Sequence, residues 1–187
     1  MPAMAVELIY ETHTPTTDNE AGLSTGWLPG ELSAEGRREA RELGELWRDR
    51  GIAVVISSDL RRAVDTARIA FPDGRPPILL DPRLRECDYG RLNGSPAELV
   101  AAERIGHIDE PFPGGQSYRQ VVAATQEFLR DLVARWDGER VMLIAHTANQ
   151  WALDVLLADA RLEDLLAAPF DWEPGRRYTV PAKVTGE

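Results

Sequence analysis

Three histidines occur in the 187 residues, and two of them, His13 and His146, directly follow runs that read as β-strands. Imidazole changes charge close to neutral pH, so it can serve there as a nucleophile or as a proton carrier. Taken alone, a histidine at a strand end is more often structural, because backbone groups easily satisfy its two ring nitrogens. His107 stands in a Gly/Pro-rich stretch and reads as a loop residue. The other groups with chemical potential also have ordinary readings when isolated. Arg62 at a helix start would make a surface ion pair, Glu86 would be a solvated carboxylate, and Asn19 would be a turn residue. Cys87 is the only cysteine, which excludes an intrachain disulfide and a cysteine-based zinc cage and favours a small buried hydrophobe.

These residues must be positioned by the elements around them. Residues 5–10 form an apolar run that opens into a Thr/Pro/Asp/Asn-rich loop holding His13. Ser33 reads as an N-cap, and Ala40, Leu43, Leu46 and Trp47 recur at helical spacing until Gly51. Residues 52–56 are a short β-branched run of the buried parallel kind, and Ser57, Ser58 and Asp59 can cap a helix carrying Leu60, Ala63, Val64 and Ala67. Residues 78–80 read as a strand, whereas 83–115 show no sustained period and read as a long functional insertion. Val121, Thr125, Phe128, Leu132 and Trp136 mark a strong helix ending near Gly138, residues 141–145 a strand, and residues 148–157 a helix. The tail from Pro169 could add one edge strand. Such alternation predicts a three-layer α/β/α domain with a mostly parallel central sheet, in which ligands bind beyond the carboxyl ends of the strands. His13, His146 and the Ser57-Ser58-Asp59 group all fall at such ends.

Several blocks in register resemble the histidine phosphatase superfamily, the phosphoglycerate-mutase-like phosphohydrolases. Thr12, His13, Thr14, Thr16 and Asn19 occupy the places of its Arg-His-Gly motif and the Thr and Asn beyond it. Ser57 to Ala67 is similar to its Ser-Ser-x-Leu-x-Arg-Ala-x-x-Thr-Ala segment, and Leu84, Arg85, Glu86 and Gly90 resemble the block holding its acid. Gly114, Gly115 and Ser117 resemble its Gly-Gly-Glu-Ser turn with Gln116 substituted, and Ala145-His146 resembles its second histidine block. The resemblance implies the phosphoglycerate-mutase-like fold over a single domain, residues 1–187, and hydrolysis of a small phosphorylated substrate through phosphohistidine. It implies His13 as nucleophile, Glu86 as general acid and then base, Arg62 and His146 as phosphoryl-oxygen donors, and Asn19 as a neutral donor. No metal or other cofactor is required by that chemistry.

The first motif departs from the family, with Thr12 where its arginine stands, Thr14 in place of its glycine, and Glu11 just before. Losing one charge-assisted contact to a phosphoryl oxygen costs on the order of 3 kcal/mol in a dry site, about a hundredfold in rate. If Thr12 and Glu11 both reached the pocket, it would be two charge units more negative than the family pattern. Three outcomes are open. Arg85 or Arg61 replaces the lost guanidinium and the phosphatase works, which is the preferred expectation. Alternatively, the site takes a less anionic ligand, with Glu11, Thr12, Thr14 and Thr147 as specificity residues. In the third, the chain is an inactive member that binds a ligand or a protein partner. Retention of His13, Arg62, Glu86 and His146 together favours an enzyme.

Composition sets the outer bounds. A net charge of −10 with no Lys/Arg cluster disfavours nucleic acid and anionic lipid as partners. The length suits one hydrophobic core. No apolar run is long enough to span a bilayer, and the N-terminus lacks a secretory pattern, so a cytoplasmic location is expected.

Overall fold

The computed structural model describes residues 5–183. The first strand, β1 (Val6–Thr12), leads into a short helix α1 (Thr17–Glu20) and strand β2 (Leu23–Ser24). Helix α2 (Ala34–Trp47), strand β3 (Val54–Ser57), helix α3 (Arg61–Ala70) and strand β4 (Ile78–Leu80) come next. Then come β5 (Ser95–Pro96), α4 (Ala97–Glu103), α5 (Tyr118–Trp136), β6 (Arg140–Ala145), α6 (Thr147–Leu157), α7 (Leu162–Ala167) and β7 (Arg176–Val180). The main sheet has the order β4-β3-β6-β1-β7, parallel throughout except β7, which runs antiparallel to β1 at the edge. This is the three-layer α/β/α arrangement with a mostly parallel sheet.

Strand periodicity sorts side chains between the two faces. Val6, Leu8 and Tyr10 face the core made with Phe128, Leu129 and Leu132 of α5 and Leu153 of α6. Ile9 faces the other way, into a cluster with Trp47 of α2, Ala63 and Ala67 of α3, and Met142 and Ile144 of β6. Both faces of the central strands are therefore dry, which is why their sequences read as continuous apolar runs. Ser33 caps α2 as expected, its hydroxyl accepting from the Gly36 N–H at 3.0 Å. Gly36 lets α2 approach the first loop closely, since a Cβ there would sit 1.9 Å from the Pro15 carbonyl oxygen.

One expectation needs correction. The helix α3 is not capped by a side chain at its N-cap, Leu60; Ser58 Oγ instead accepts from the Leu60 N–H at 3.2 Å, and Asp59 is taken by Arg85. The stretch 83–115, read as an insertion with no sustained period, contains the short elements β5 and α4 and the 3-10 turns Gly90–Leu92 and Arg104–His107. Its Cys87, Tyr89, Val100, Ile108 and Phe112 form a second core with Tyr118 and Val121 of α5 and Trp151 of α6. Helix α4 is only seven residues long and buries Val100 alone, so it leaves no periodic trace in the sequence.

Candidate active site

Register places the two histidines together. Thr12 pairs with Ala145 across β1 and β6, while Ser57 pairs with Ile144 across β3 and β6, so His13, His146 and Ser58 each begin the loop beyond three adjacent parallel strands. The His13 N–H continues the ladder to the Ala145 carbonyl at 2.9 Å, and the Ser58 N–H to that of Ile144 at 3.1 Å. After β1 the chain leaves through α2 toward β3, and after β6 through α6 toward β7 on the opposite side and face. The gap between β6 and β1 is thus the topological switch point of the sheet, where open α/β sheets bind ligands.

His13 Nδ1 lies 2.8 Å from the Thr14 carbonyl oxygen and can only donate to it, which puts the ring proton on Nδ1. Its Nε2 lone pair then accepts from Arg62 Nε–H at 3.3 Å. Burial, assisted by the Arg62 charge, pushes the His13 pKa down to about 3, so the ring is neutral at physiological pH. Arg62 is 2% exposed. It is held by the Gly26 carbonyl at 2.8 Å and that of Leu28 at 3.4 Å. The ring of His146 stands 5.3 Å from that of His13, centroid to centroid. His146 is fully buried behind it, its Nε2 2.9 Å from Ser58 Oγ and its carbonyl accepting the Tyr10 hydroxyl. Ser58 Oγ also accepts from the Leu60 N–H, so it bridges the His146 ring to the start of α3.

Glu86 Oε1 accepts from the Cys87 N–H at 2.8 Å and the Ala148 N–H at 3.3 Å. Burial nevertheless raises its pKa above the usual carboxylate range, against the pull of these donors and of Arg62 and Arg104. Asn19 forms a capping box with Thr16: its Oδ1 accepts from the Thr16 N–H and its own N–H donates to Thr16 Oγ1, each at 3.0 Å. That arrangement leaves its Nδ2 amide as the donor available to the cavity. His13, Asn19, Arg62, Glu86 and Thr147 line one cavity of about 180 Å³, together with Tyr89, Arg104 and Trp151. Among the described residues no group of three or more His, Cys, Asp or Glu side chains could hold a metal ion, and no helix is long and apolar enough to cross a membrane.

The remaining candidates lie elsewhere. Arg85 makes a bidentate pair with Asp59, at 2.7 and 2.6 Å, and stacks on Trp27. Arg61 is half exposed and pairs with Glu31 and Asp65. Neither lines the cavity of His13 and Arg62, so the structure does not bring either arginine into the place expected of a substitute. Arg104, which no motif singled out, is there instead. Thr14 is tied to α3, its N–H donating to Thr66 Oγ1 at 3.1 Å, and Thr12 Oγ1 accepts from the Trp172 indole at 3.2 Å.

Glu11 shares the α2 face with Ile9, so it lies against Trp47 rather than beside Arg62. It lines a larger cavity of about 660 Å³ with Thr12, Thr14 and several α2 residues; this second cavity shares His13 and Asn19 with the first but lacks Arg62 and Glu86. Burial pushes the Glu11 carboxyl up to about 7, against the lowering effect of the Gly175 backbone and the Trp47 indole. A carboxyl held above its unfolded pKa keeps its proton only in the folded state, so stability is lost as pH rises from about 4.5 toward 7. With Glu11 only 5% exposed, this loss is on the order of 3 kcal/mol. Glu11→Gln should therefore be more stable than wild type at pH 8 and nearly equal to it at pH 4.5, a comparison made by urea denaturation at both pH values. Equal stability differences at the two pH values would contradict this assignment.

The family model described as histidine phosphatase superfamily (branch 1) matches residues 12–171. A probable phosphoglycerate mutase of Enterobacter sp. (strain 638) is 32% identical over 142 residues, covering 72% of this chain and 66% of that protein. A metal-independent phosphoserine phosphatase of Arabidopsis thaliana is 30% identical over 151 residues, covering 75% of this chain and 63% of that protein. The chain thus spans just under two thirds of the length of these curated relatives. The solved structure of a mycobacterial glucosyl-3-phosphoglycerate phosphatase is similar with a TM-score of 0.74 and 28% identity, covering 87% of this chain and 84% of that one.

Proposed function

The chain belongs to the histidine phosphatase superfamily, and from that premise we propose that it is a metal-independent phosphohydrolase acting on a small phosphomonoester through a phosphohistidine formed on His13. The observation that carries this reading is the state of His13: a neutral ring, its proton fixed on Nδ1 by Thr14, and its Nε2 lone pair in one cavity with Arg62 and Glu86. A lone pair so held needs no proton removed before it attacks.

In the first step, Nε2 attacks phosphorus, the P–N bond forms and the ester P–O bond breaks. Glu86, whose pKa burial raises, gives its proton to the departing alkoxide. In the second, the Glu86 carboxylate takes a proton from water as that water attacks the phosphohistidine, releasing inorganic phosphate and restoring both groups. Arg62 and the Asn19 amide, backed by the imidazole of His146 beside His13, supply donors to the phosphoryl oxygens as charge shifts among them. If another hydroxyl rather than water receives the phosphoryl group, the same residues carry out a mutase reaction.

The test is phosphate release by the purified chain from a panel of phosphomonoesters, beside a phosphodiester and with trapping of the labelled enzyme. Monoester turnover with an acid-labile, base-stable phosphoenzyme is expected. Turnover confined to the diester, or an acid-stable label, would overturn the proposal.

A further inference from the structure

Arg104 begins the 3-10 turn that follows α4, in the stretch inserted between β4 and α5. Its guanidinium carbon lies 5.0 Å from the ring centroid of Trp151, and both residues line the small cavity with His13 and Arg62. Its Nε is buried without a hydrogen-bond partner, a costly state for a cationic donor unless an anion comes to meet it. Other arginines around the site are already neutralised: Arg85 by Asp59, Arg61 by Glu31 and Asp65, Arg38 by Glu35 and Glu42. Arg104 has no such carboxylate contact among the described residues; its field reaches Glu86, Tyr89 and Tyr118 through space. A sphere of 180 Å³ is about 7 Å across, so a phosphoryl group in this cavity is within reach of donors on opposite walls.

We propose that Arg104 supplies the second phosphoryl-binding cation of this site, in place of the arginine that Thr12 displaces, so that the substrate's phosphoryl group is held between Arg62 and Arg104. This rests on the phosphohydrolase reading of the same cavity. The cation has moved from the end of β1 to the inserted segment, and Trp151 orients it by stacking, which suits a planar guanidinium better than an ammonium. The inserted segment thereby carries part of the phosphate site as well as the walls around the rest of the substrate.

The test compares wild type with Arg104→Met, which keeps an unbranched apolar stem and removes the guanidinium, with Arg104→Lys, and with Arg61→Ala as a control on the outer face. Two quantities are read for each: kcat/KM on a phosphomonoester, and the dissociation constant for inorganic phosphate by calorimetry. Arg104→Met is expected to lose about a hundredfold in kcat/KM and to weaken phosphate binding, with Arg104→Lys intermediate and Arg61→Ala unchanged. Values for Arg104→Met within threefold of wild type in both quantities would overturn the proposal while leaving the phosphohydrolase reading standing. If wild type hydrolyses no monoester but binds phosphate, and Arg104→Met binds it less, the phosphohydrolase reading falls and the role of Arg104 stands. A wild-type chain that binds no phosphate overturns the proposal.

Discussion

His13→Asn should abolish phosphoenzyme formation and lower monoester turnover by about 10⁴-fold or more, the scale on which loss of a nucleophile acts. The side chain of asparagine is too short to bring an atom to the position of Nε2, and its amide nitrogen has no lone pair available for attack. Little else should change. His13 is neutral and makes one hydrogen bond to the adjacent backbone and one to Arg62, so its contribution to ground-state binding of phosphate is small. The expected signature is therefore a collapse of kcat with a phosphate dissociation constant within a few-fold of wild type. Retention of more than about 1% of turnover would mean that water attacks phosphorus directly, with His13 confined to positioning.

Glu86→Gln should divide substrates by leaving group. An alkyl phosphate leaves as a strongly basic alkoxide and needs the proton, so its kcat/KM should fall by about 10³-fold. p-Nitrophenyl phosphate leaves as a weakly basic phenolate and should lose less than about tenfold in phosphoryl transfer to His13. The pH dependence comes from the direction of the Glu86 shift. The acid must be protonated for the first step, so wild-type kcat/KM on alkyl esters should decline as pH rises through a pKa above the ordinary carboxylate range. Gln does not titrate there, and the variant should lack that limb. An equal loss on both substrates would place the role of Glu86 in holding the Ala148 and Cys87 amides rather than in proton transfer.

Those two residues were legible in the chain because local pattern is enough to find them. A buried parallel strand is an apolar run, and the residue just past its end stands at the carboxyl edge of the sheet. Three such runs therefore announced His13, His146 and Ser58 at neighbouring strand ends, and the in-register blocks tied Arg62 and Glu86 to them. The α2 cap at Ser33 and the long period of α5 were legible for the same reason, since capping and amphipathic spacing act within a few residues.

Partnership over long separations is not written in local spacing, and it decided the electrostatics of the site. Arg85 comes directly after Leu84 in the acid block, yet Asp59, 26 positions earlier, claims its guanidinium. Glu11 is two residues from His13, but the strand alternation that puts Ile9 on the α2 face carries Glu11 with it, and burial beside Trp47 keeps it largely protonated below pH 7. Arg104 is 42 positions before His146 and reaches the cavity because the inserted segment folds its own small core against α5 and α6. Sequence alone determined the strands and the placing of the two histidines at strand ends, since each depends on short-range periodicity, while the class of chemistry came from the blocks that resemble the family. Only the tertiary structure decided which charges face the cavity of His13, since that depends on packing between elements far apart in the chain.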